Sequence, residues 1–366
     1  MNFYDNELRA LKRANRFRKR QVYPETYVDF ASNDYLGLAH RKELLHATCQ
    51  LLREHTVHAP KASMLVNGYH RIHQEFEQAL CAANGFEAGI ILGSGFNANM
   101  ALIEALLRRG DTLLIDEKFH ASGMLAARTI AADVVIFRHN SAEHLQQLLQ
   151  ASTSKRNVIV VEGVYSMQGD VLQREIITLA DEYGALLIVD EAHSSGILGN
   201  HLMGVFDWYD ITIAANHIKM GTLGKAYGSF GGYILASDHI VSYLINRAKP
   251  IIYATAPSLF DTLLAHQSLE YIQKNTSQLR DAIALRRAMV QEYLPIEMPS
   301  LIASIPLGDN KKVMALQAAL LREGIVVGAI RPPTVEHAII RLIARLGESE
   351  AMLKFTCKFV KNFQVK

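Results

Sequence analysis

Three segments carry residue types that do chemistry, each at a place where a strand gives way to a turn. GSGFNA at 93–98 follows the apolar run AGIIL and precedes a helical pattern. Glycine there lets the backbone approach a phosphate, and a helix start offers free N–H groups and the positive end of its dipole. VDEAH at 189–193 sets Asp190 and His193 just beyond another apolar run. GTLGKAYGSFGG at 221–232 surrounds Lys225 with five glycines. A lysine so placed forms an imine with a carbonyl once burial or a cationic neighbour lowers its pKa.

Each segment alone has an ordinary reading. GSGFNA fits a dinucleotide fingerprint, with Asp116 at the spacing of a ribose acid, and serves equally as a ligand-free strand–helix turn. VDEAH resembles the acidic motif of helicase-type NTPases. The Gly224–Lys225 pair lies downstream of it, is followed by Ala226, and has Lys219 where a phosphate loop needs its leading glycine, so that reading is rejected. Asp190 and His193 remain a metal pair or a hydrogen-bonded turn, and Lys225 a solvated loop lysine. Together the three are more specific. A phosphate cradle, then a carboxylate at a strand end, then a lysine among glycines is what pyridoxal 5'-phosphate requires: donors for the phosphate, an anion under the ring nitrogen and an amine for the aldehyde.

The elements that must position these residues alternate. Helical patterns at HQEFEQALCAANG (73–85), stopped at Gly85, and at 97–110 are interleaved with apolar runs at 88–92, 112–116, 134–139, 157–164 and 185–193. That alternation predicts an α/β fold with a mainly parallel sheet, helices on both faces, right-handed crossovers, and ligands beyond the carboxyl ends of the strands. The pattern changes near 246–257, where a smaller α+β C-terminal domain with strands SLIASIPL and IVVGAI is expected. The division is an N-terminal arm at 1–45, a large cofactor-binding domain at 46–247 and a small domain at 248–366. Residues 9–20 hold seven basic residues and read as a solvated helix or as an arm that meets an acidic ligand; ASNDYLG at 31–37 ends the arm.

The 366 residues suffice for about two domains, and 49% hydrophobic residues exclude a mostly disordered chain. A net charge of +2 argues against a nucleic-acid binder. Cys49, Cys81 and Cys357 are too far apart for a disulfide framework or a CxxC zinc pair, so no metal site is expected. With no long apolar run and no signal-like start, no membrane association is expected and a cytoplasmic location is.

The motifs ASNDYLGLAH, NGYHRIH, GSGFNAN, the HAS at 120–122, EGVYSMQGD, VDEAHSSG, GTLGKAYGS and IRPPTV occur in the order found in the α-oxoamine synthases, and the chain resembles that family from 31 to 335. The resemblance implies a fold type I, aspartate aminotransferase-like enzyme, a pyridoxal phosphate-dependent acyltransferase. It is strongest to members that join L-alanine to a pimeloyl thioester, carried by coenzyme A or acyl carrier protein, in biotin biosynthesis. Relatives that use glycine or serine are the alternative, and a nicotinamide dehydrogenase a remoter one. Lys225 matches the cofactor-linked lysine, Asp190 the carboxylate under the ring nitrogen, His193 the imidazole near the phenolic oxygen and His120 the ring stacked on the cofactor. Gly95, Phe96 and Thr222 match phosphate donors, while Glu162 and Ser166 belong to the adjoining strand-end motif. Thr255 matches a residue that reaches the phosphate from a second subunit, which implies a homodimer with shared sites. Asn33 and Arg331 match residues that meet a substrate carboxylate, Thr334 belongs to the same IRPPTV motif, and Arg18 matches an arm arginine near the acyl substrate. HAPKASMLVNGYH (58–70) and Gln168 depart from the family pattern and bear on substrate selection.

Overall fold

The computed structural model describes residues 3–14 and 16–364. Seven strands form the principal sheet: β1 Ala88–Leu92, β2 Thr112–Asp116, β3 Asp133–Phe137, β4 Asn157–Glu162, β5 Leu186–Asp190, β6 His217–Thr222 and β7 Gly232–Ala236. Their spatial order is β1-β7-β6-β5-β4-β2-β3. Every neighbouring pair is parallel except those made by β7, which runs against both β1 and β6. The expected mainly parallel sheet is therefore present, and Leu92, Asp116, Glu162, Asp190 and Thr222 all end at one edge.

Successive side chains on a strand point to opposite faces, and here the faces bury different cores. Ile90, Leu113, Ile115, Val158, Val160 and Ile188 enter one cluster, with Leu102 and Leu106 of the helix Gly95–Leu106. Ile91, Leu114, Ile159, Val161, Leu187 and Val189 enter the other, with Phe76 and Leu80 of the helix Arg71–Asn84. Burial on both faces explains why these strands read as unbroken apolar runs.

The remaining strands β8 Ile302–Gly308, β9 Gly328–Ile330 and β10 Ala338–Ile343 form an antiparallel sheet in the order β9-β10-β8. IVVGAI is not one strand. Ile325–Val326 pairs in parallel with Val28–Asp29, while Gly328–Ile330 turns to β10. The helix anticipated over 97–110 ends at Leu106, because Leu107 is extended and Arg108–Asp111 close a turn through Asp111 Oδ2 on the Arg108 N–H. In the arm the helix is Asp5–Arg13, exposed throughout, rather than 9–20. The ASNDYLG segment is more buried than a turn sequence suggests. Phe30, Tyr35 and Leu36 are core residues, and the segment hydrogen-bonds Ile343 and Leu346 through the carbonyls of Phe30 and Tyr35.

Candidate active site

The strand ends and the Gly95 helix enclose a cavity of about 230 Å³ lined by Gly95, Phe96, His120, Glu162, Asp190, His193, Thr222 and Lys225, with Ser94, Asn99, Ala192 and Met220. Eight of the anticipated residues thus meet in one place. β4, β5 and β6 deliver Glu162, Asp190 and Thr222 at their last positions.

At the helix start, Ser94 accepts from the Asn97 N–H through its hydroxyl, and the first intrahelical bond runs from Ala98 to Ser94. The N–H groups of Gly95 and Phe96 precede that bond and so stand as an anion cradle. The approach is tight. A Cβ on Gly232 would lie 2.6 Å from the Gly95 nitrogen and 2.5 Å from the Ser94 carbonyl carbon.

Asp190 accepts from Asn99 Nδ2 at 2.8 Å and from the Ala192 N–H at 3.0 Å. Asn99 also donates to Ser122 Oγ at 2.9 Å, and that hydroxyl lies 2.7 Å from His120 Nδ1. Because the Ser122 N–H donates to the same Nδ1, the His120 proton sits on Nε2. Burial, opposed by Asp190 and assisted by Lys225, lowers the His120 pKa.

His193 stands between two partners, with Nε2 2.7 Å from Lys225 Nζ and Nδ1 2.5 Å from the Tyr35 hydroxyl. Burial and then the charge on Lys225 hold its pKa well below the usual histidine value. Burial also brings Lys225 down to about 8, against the pull of Asp190 and Glu162. Glu162 moves the other way: burial, with Asp190 on the neighbouring strand, raises it well above an ordinary carboxyl. Two carboxyl groups in one dry site do not both ionise easily. Asp190 accepts two N–H donors, while Glu162 accepts one, from Ser166.

The other anticipated residues lie outside this cavity. Ser166 joins through its backbone, its carbonyl accepting from Arg341 Nε at 2.7 Å. Asn33 Oδ1 accepts from both terminal nitrogens of Arg341 at 3.0 Å. Arg18, Arg331 and Thr334 line a second cavity of about 270 Å³ with Arg16 and Pro332–Pro333, so three arginines contribute to its lining. Thr255 pairs with Ser63 in an isolated bridge and does not line the first cavity. Sequence reasoning missed Asn99, Tyr35 and Arg341. Asn99 lies one helical turn after Gly95, and Tyr35 two residues after Asn33; those spacings were available signals. Arg341, buried on β10, had none beyond its place ten residues after Arg331.

Two buried oxygens of lining residues, Asn99 Oδ1 and Glu162 Oε1, have no hydrogen-bond partner among the described residues. A buried polar atom without a partner is costly, so the cavity suits a polar guest. An anion cradle, a carboxylate, a flat imidazole and a lysine of lowered pKa fit a phosphorylated aromatic aldehyde. Among the described residues there is no cluster of metal-ligating side chains, and no helix is long and apolar enough to cross a membrane.

The family model for aminotransferase class I and II matches residues 25–358. The chain is 39% identical over 348 residues to 8-amino-7-oxononanoate synthase of Helicobacter pylori, covering 94% of this chain and 93% of that protein. Among solved structures it is similar to serine palmitoyltransferase of S. paucimobilis bound to pyridoxal phosphate and myriocin, with a TM-score of 0.88, 23% identity and 99% and 96% of the two chains covered. It is also similar to 8-amino-7-oxononanoate synthase of Francisella tularensis, with a TM-score of 0.78, 26% identity and 93% and 98% covered.

Proposed function

The chain belongs to the class I and II aminotransferase family, and from that premise we propose that it condenses L-alanine with a pimeloyl thioester, releasing carbon dioxide and the thiol carrier, as an 8-amino-7-oxononanoate synthase. The observation that carries the reading is the convergence of Lys225, His193, Asp190 and the Gly95 helix start on one cavity, in a chain alike over nearly its whole length to relatives of that name.

Pyridoxal phosphate is the cofactor. The N–H groups of Gly95 and Phe96 and the Thr222 hydroxyl would hold its phosphate, Asp190 its ring nitrogen, His120 its ring face and His193 its phenolic oxygen. When bound, it would supply an electron-withdrawing ring that eases loss of the α-hydrogen of the amino acid. Lys225 would supply the amine for its aldehyde and, as a free amine of lowered pKa, the base for the α-proton near neutral pH. Glu162, its carboxyl raised well above the ordinary range by burial and by Asp190, presents an unpartnered Oε1 in the cavity lining. The Arg341 guanidinium, oriented by Asn33 and the Ser166 carbonyl, is suited to receive the amino-acid carboxylate. That assigns to Arg341 the task the family pattern suggested for Arg331. Arg331 instead joins Arg16, Arg18 and Thr334, whose cationic cavity suits the free carboxylate at the far end of a pimeloyl chain.

Two copies complete the site. Leu65, Val66, Phe96, Phe230 and Tyr253 are exposed apolar side chains in or beside the cavity and Thr255 segments. A partner subunit covers them, and Thr255 of the partner subunit reaches the phosphate.

The dehydrogenase alternative loses its ribose acid. Asp116 is fully buried and accepts from Tyr165, His139 and the Asn140 and Lys118 N–H groups. The test is a panel of alanine, glycine and serine with and without pimeloyl-CoA, together with mass spectrometry after borohydride reduction. Alanine condensation and a cofactor fixed to Lys225 are expected, and both are lost in Lys225→Ala. Condensation of glycine or serine in place of alanine, or a cofactor fixed elsewhere, overturns the reading.

A further inference from the structure

Tyr35 is fully buried, touches the site and has no task so far. Its hydroxyl meets His193 Nδ1, and His193 Nε2 meets Lys225 Nζ, so hydroxyl, imidazole and amine stand in a line with separations of 2.5 and 2.7 Å. We propose that Tyr35 is a positioning residue that switches the tautomer of His193 in step with the charge on Lys225. The proposal rests on the reading of Lys225 as the reactive amine.

The argument is one of counting donors. A neutral imidazole carries one N–H and one lone pair, and His193 is kept neutral by burial and by the charges of Lys225, Arg341 and His120. When Lys225 is an ammonium it has only donors, so Nε2 must accept, the ring proton sits on Nδ1, and Nδ1–H donates to the Tyr35 oxygen. When Lys225 is a free amine it presents a lone pair. Nε2–H then donates to Nζ, and Nδ1 becomes the acceptor of the Tyr35 O–H. A hydroxyl serves both states because it both donates and accepts; an amide, a guanidinium or a phenyl ring in its place would leave one state unpaired. Between the two states an Nζ–H bond breaks and an Nε2–H bond forms, while the Nδ1 proton passes to the Tyr35 oxygen and the former hydroxyl proton leaves to solvent, so the net change is the loss of one proton.

The surroundings hold the hydroxyl for this task. Arg341 Nη2 donates to its oxygen at 3.5 Å, and Asn33 Oδ1, itself fixed by both Arg341 terminal nitrogens, lies 3.5 Å away as an acceptor when the hydroxyl is not donating to His193. Burial raises Tyr35 to about 12, so the hydroxyl keeps its own proton. The other titratable or charged groups facing the relay are Asp190 and Glu162 at the strand ends, His120 at its helix start and Arg341 on β10. The consequence is that the ring follows Lys225 through its deprotonation, with both imidazole nitrogens paired on either side of it.

The test uses the full chain without cofactor, labelled with 15N-histidine, and reads the two ring nitrogens of His193 by NMR across the Lys225 titration near pH 8. In the unmodified chain the proton is expected on Nδ1 below that pH and on Nε2 above it. In Tyr35→Phe the exchange of tautomers should disappear while the circular dichroism spectrum is kept. One unchanging tautomer in the unmodified chain overturns the proposal, as does a Tyr35→Phe chain that switches as before. The first measurement decides the matter even where the variant does not fold. No substrate takes part, so failure here leaves the condensation reading standing, and a chain that condenses nothing can still show the switch.

Discussion

At the scale of single residues, the site separates like groups by their hydrogen bonds. Asp190 and Glu162 are neighbours in register on adjacent strands, yet Asp190 accepts two N–H donors and Glu162 one, and burial with Asp190 beside it raises the Glu162 carboxyl well above its ordinary range. Asp190→Asn keeps the shape and removes the charge. A hydrogen bond to a charged group contributes about 1.5–3 kcal/mol, so cofactor affinity should fall by roughly 10- to 150-fold in a spectroscopic titration, with turnover falling further. Unchanged affinity would remove Asp190 from the ring nitrogen. Lys225, Asp190 and His193 were legible because each sits at a strand end or in a glycine-rich turn. Tyr35, Asn99 and Arg341 were not, because a tyrosine, an asparagine and a strand arginine look the same in sequence whether they pack or reach a site. Their roles come from partners 91 to 308 positions away, for example Asn99 on Asp190 and Arg341 on Asn33.

Elements hold these residues in register, and two contacts show how. Gly232 on β7 passes so close to the Gly95 helix start that any side chain meets backbone. Gly232→Ala should cost about 1–3 kcal/mol by overpacking and weaken cofactor binding by displacing the cradle. A melting curve and a cofactor titration check both effects, and a variant with unchanged affinity would show that the cradle yields freely. The second contact is His139, just beyond β3, which donates to Asp116 at the end of β2 and to Asp170 in the loop after β4. The two carboxylates outweigh its burial and raise its pKa from 6.5 to about 9. The stabilisation from its charge is fully present below pH 6.5 and is lost as pH rises through 9. With its ring partly solvated, the effect is on the order of 2 kcal/mol. His139→Gln should therefore destabilise the fold more at about pH 6 than at about pH 10 in denaturant unfolding; equal losses at both would refute the charged pairing. Five of the seven main-sheet strands were readable to within two or three residues because both faces are apolar, whereas His217–Thr222 and Gly232–Ala236 were not, since they flank the glycine-rich run 221–232. The short pairs around Val327 were not, since two- and three-residue strands carry no periodicity and are set by tertiary partners.

At the scale of the molecule, the exposed apolar residues around the cavity predict a dimer. Phe230→Asp puts a charge on that surface. Analytical ultracentrifugation should then show monomer where the unmodified chain sediments as dimer, with activity falling at least about tenfold, since a single truncated anchor at an interface commonly costs 2 kcal/mol or more. An unmodified chain that sediments as monomer at full activity would refute shared sites. A C-terminal antiparallel strand was legible in SLIASIPL, but which surface would meet a second copy was not, because exposed phenylalanines gain meaning only once they are seen to cluster.

The segment Phe30–Leu36 and the segment Arg341–Leu346 are joined by the Asp34–Arg345 ion pair at 2.7 Å and by backbone bonds, and from this junction Tyr35 reaches His193 in the middle of the chain. Tyr35 therefore meets His193 from a frame that needs residues 341–346, although the strands beneath it leave the ribosome well before them. A chain cut short before residue 341 would lose the Asp34–Arg345 pair together with the Arg341 bonds to Asn33 and the Ser166 carbonyl.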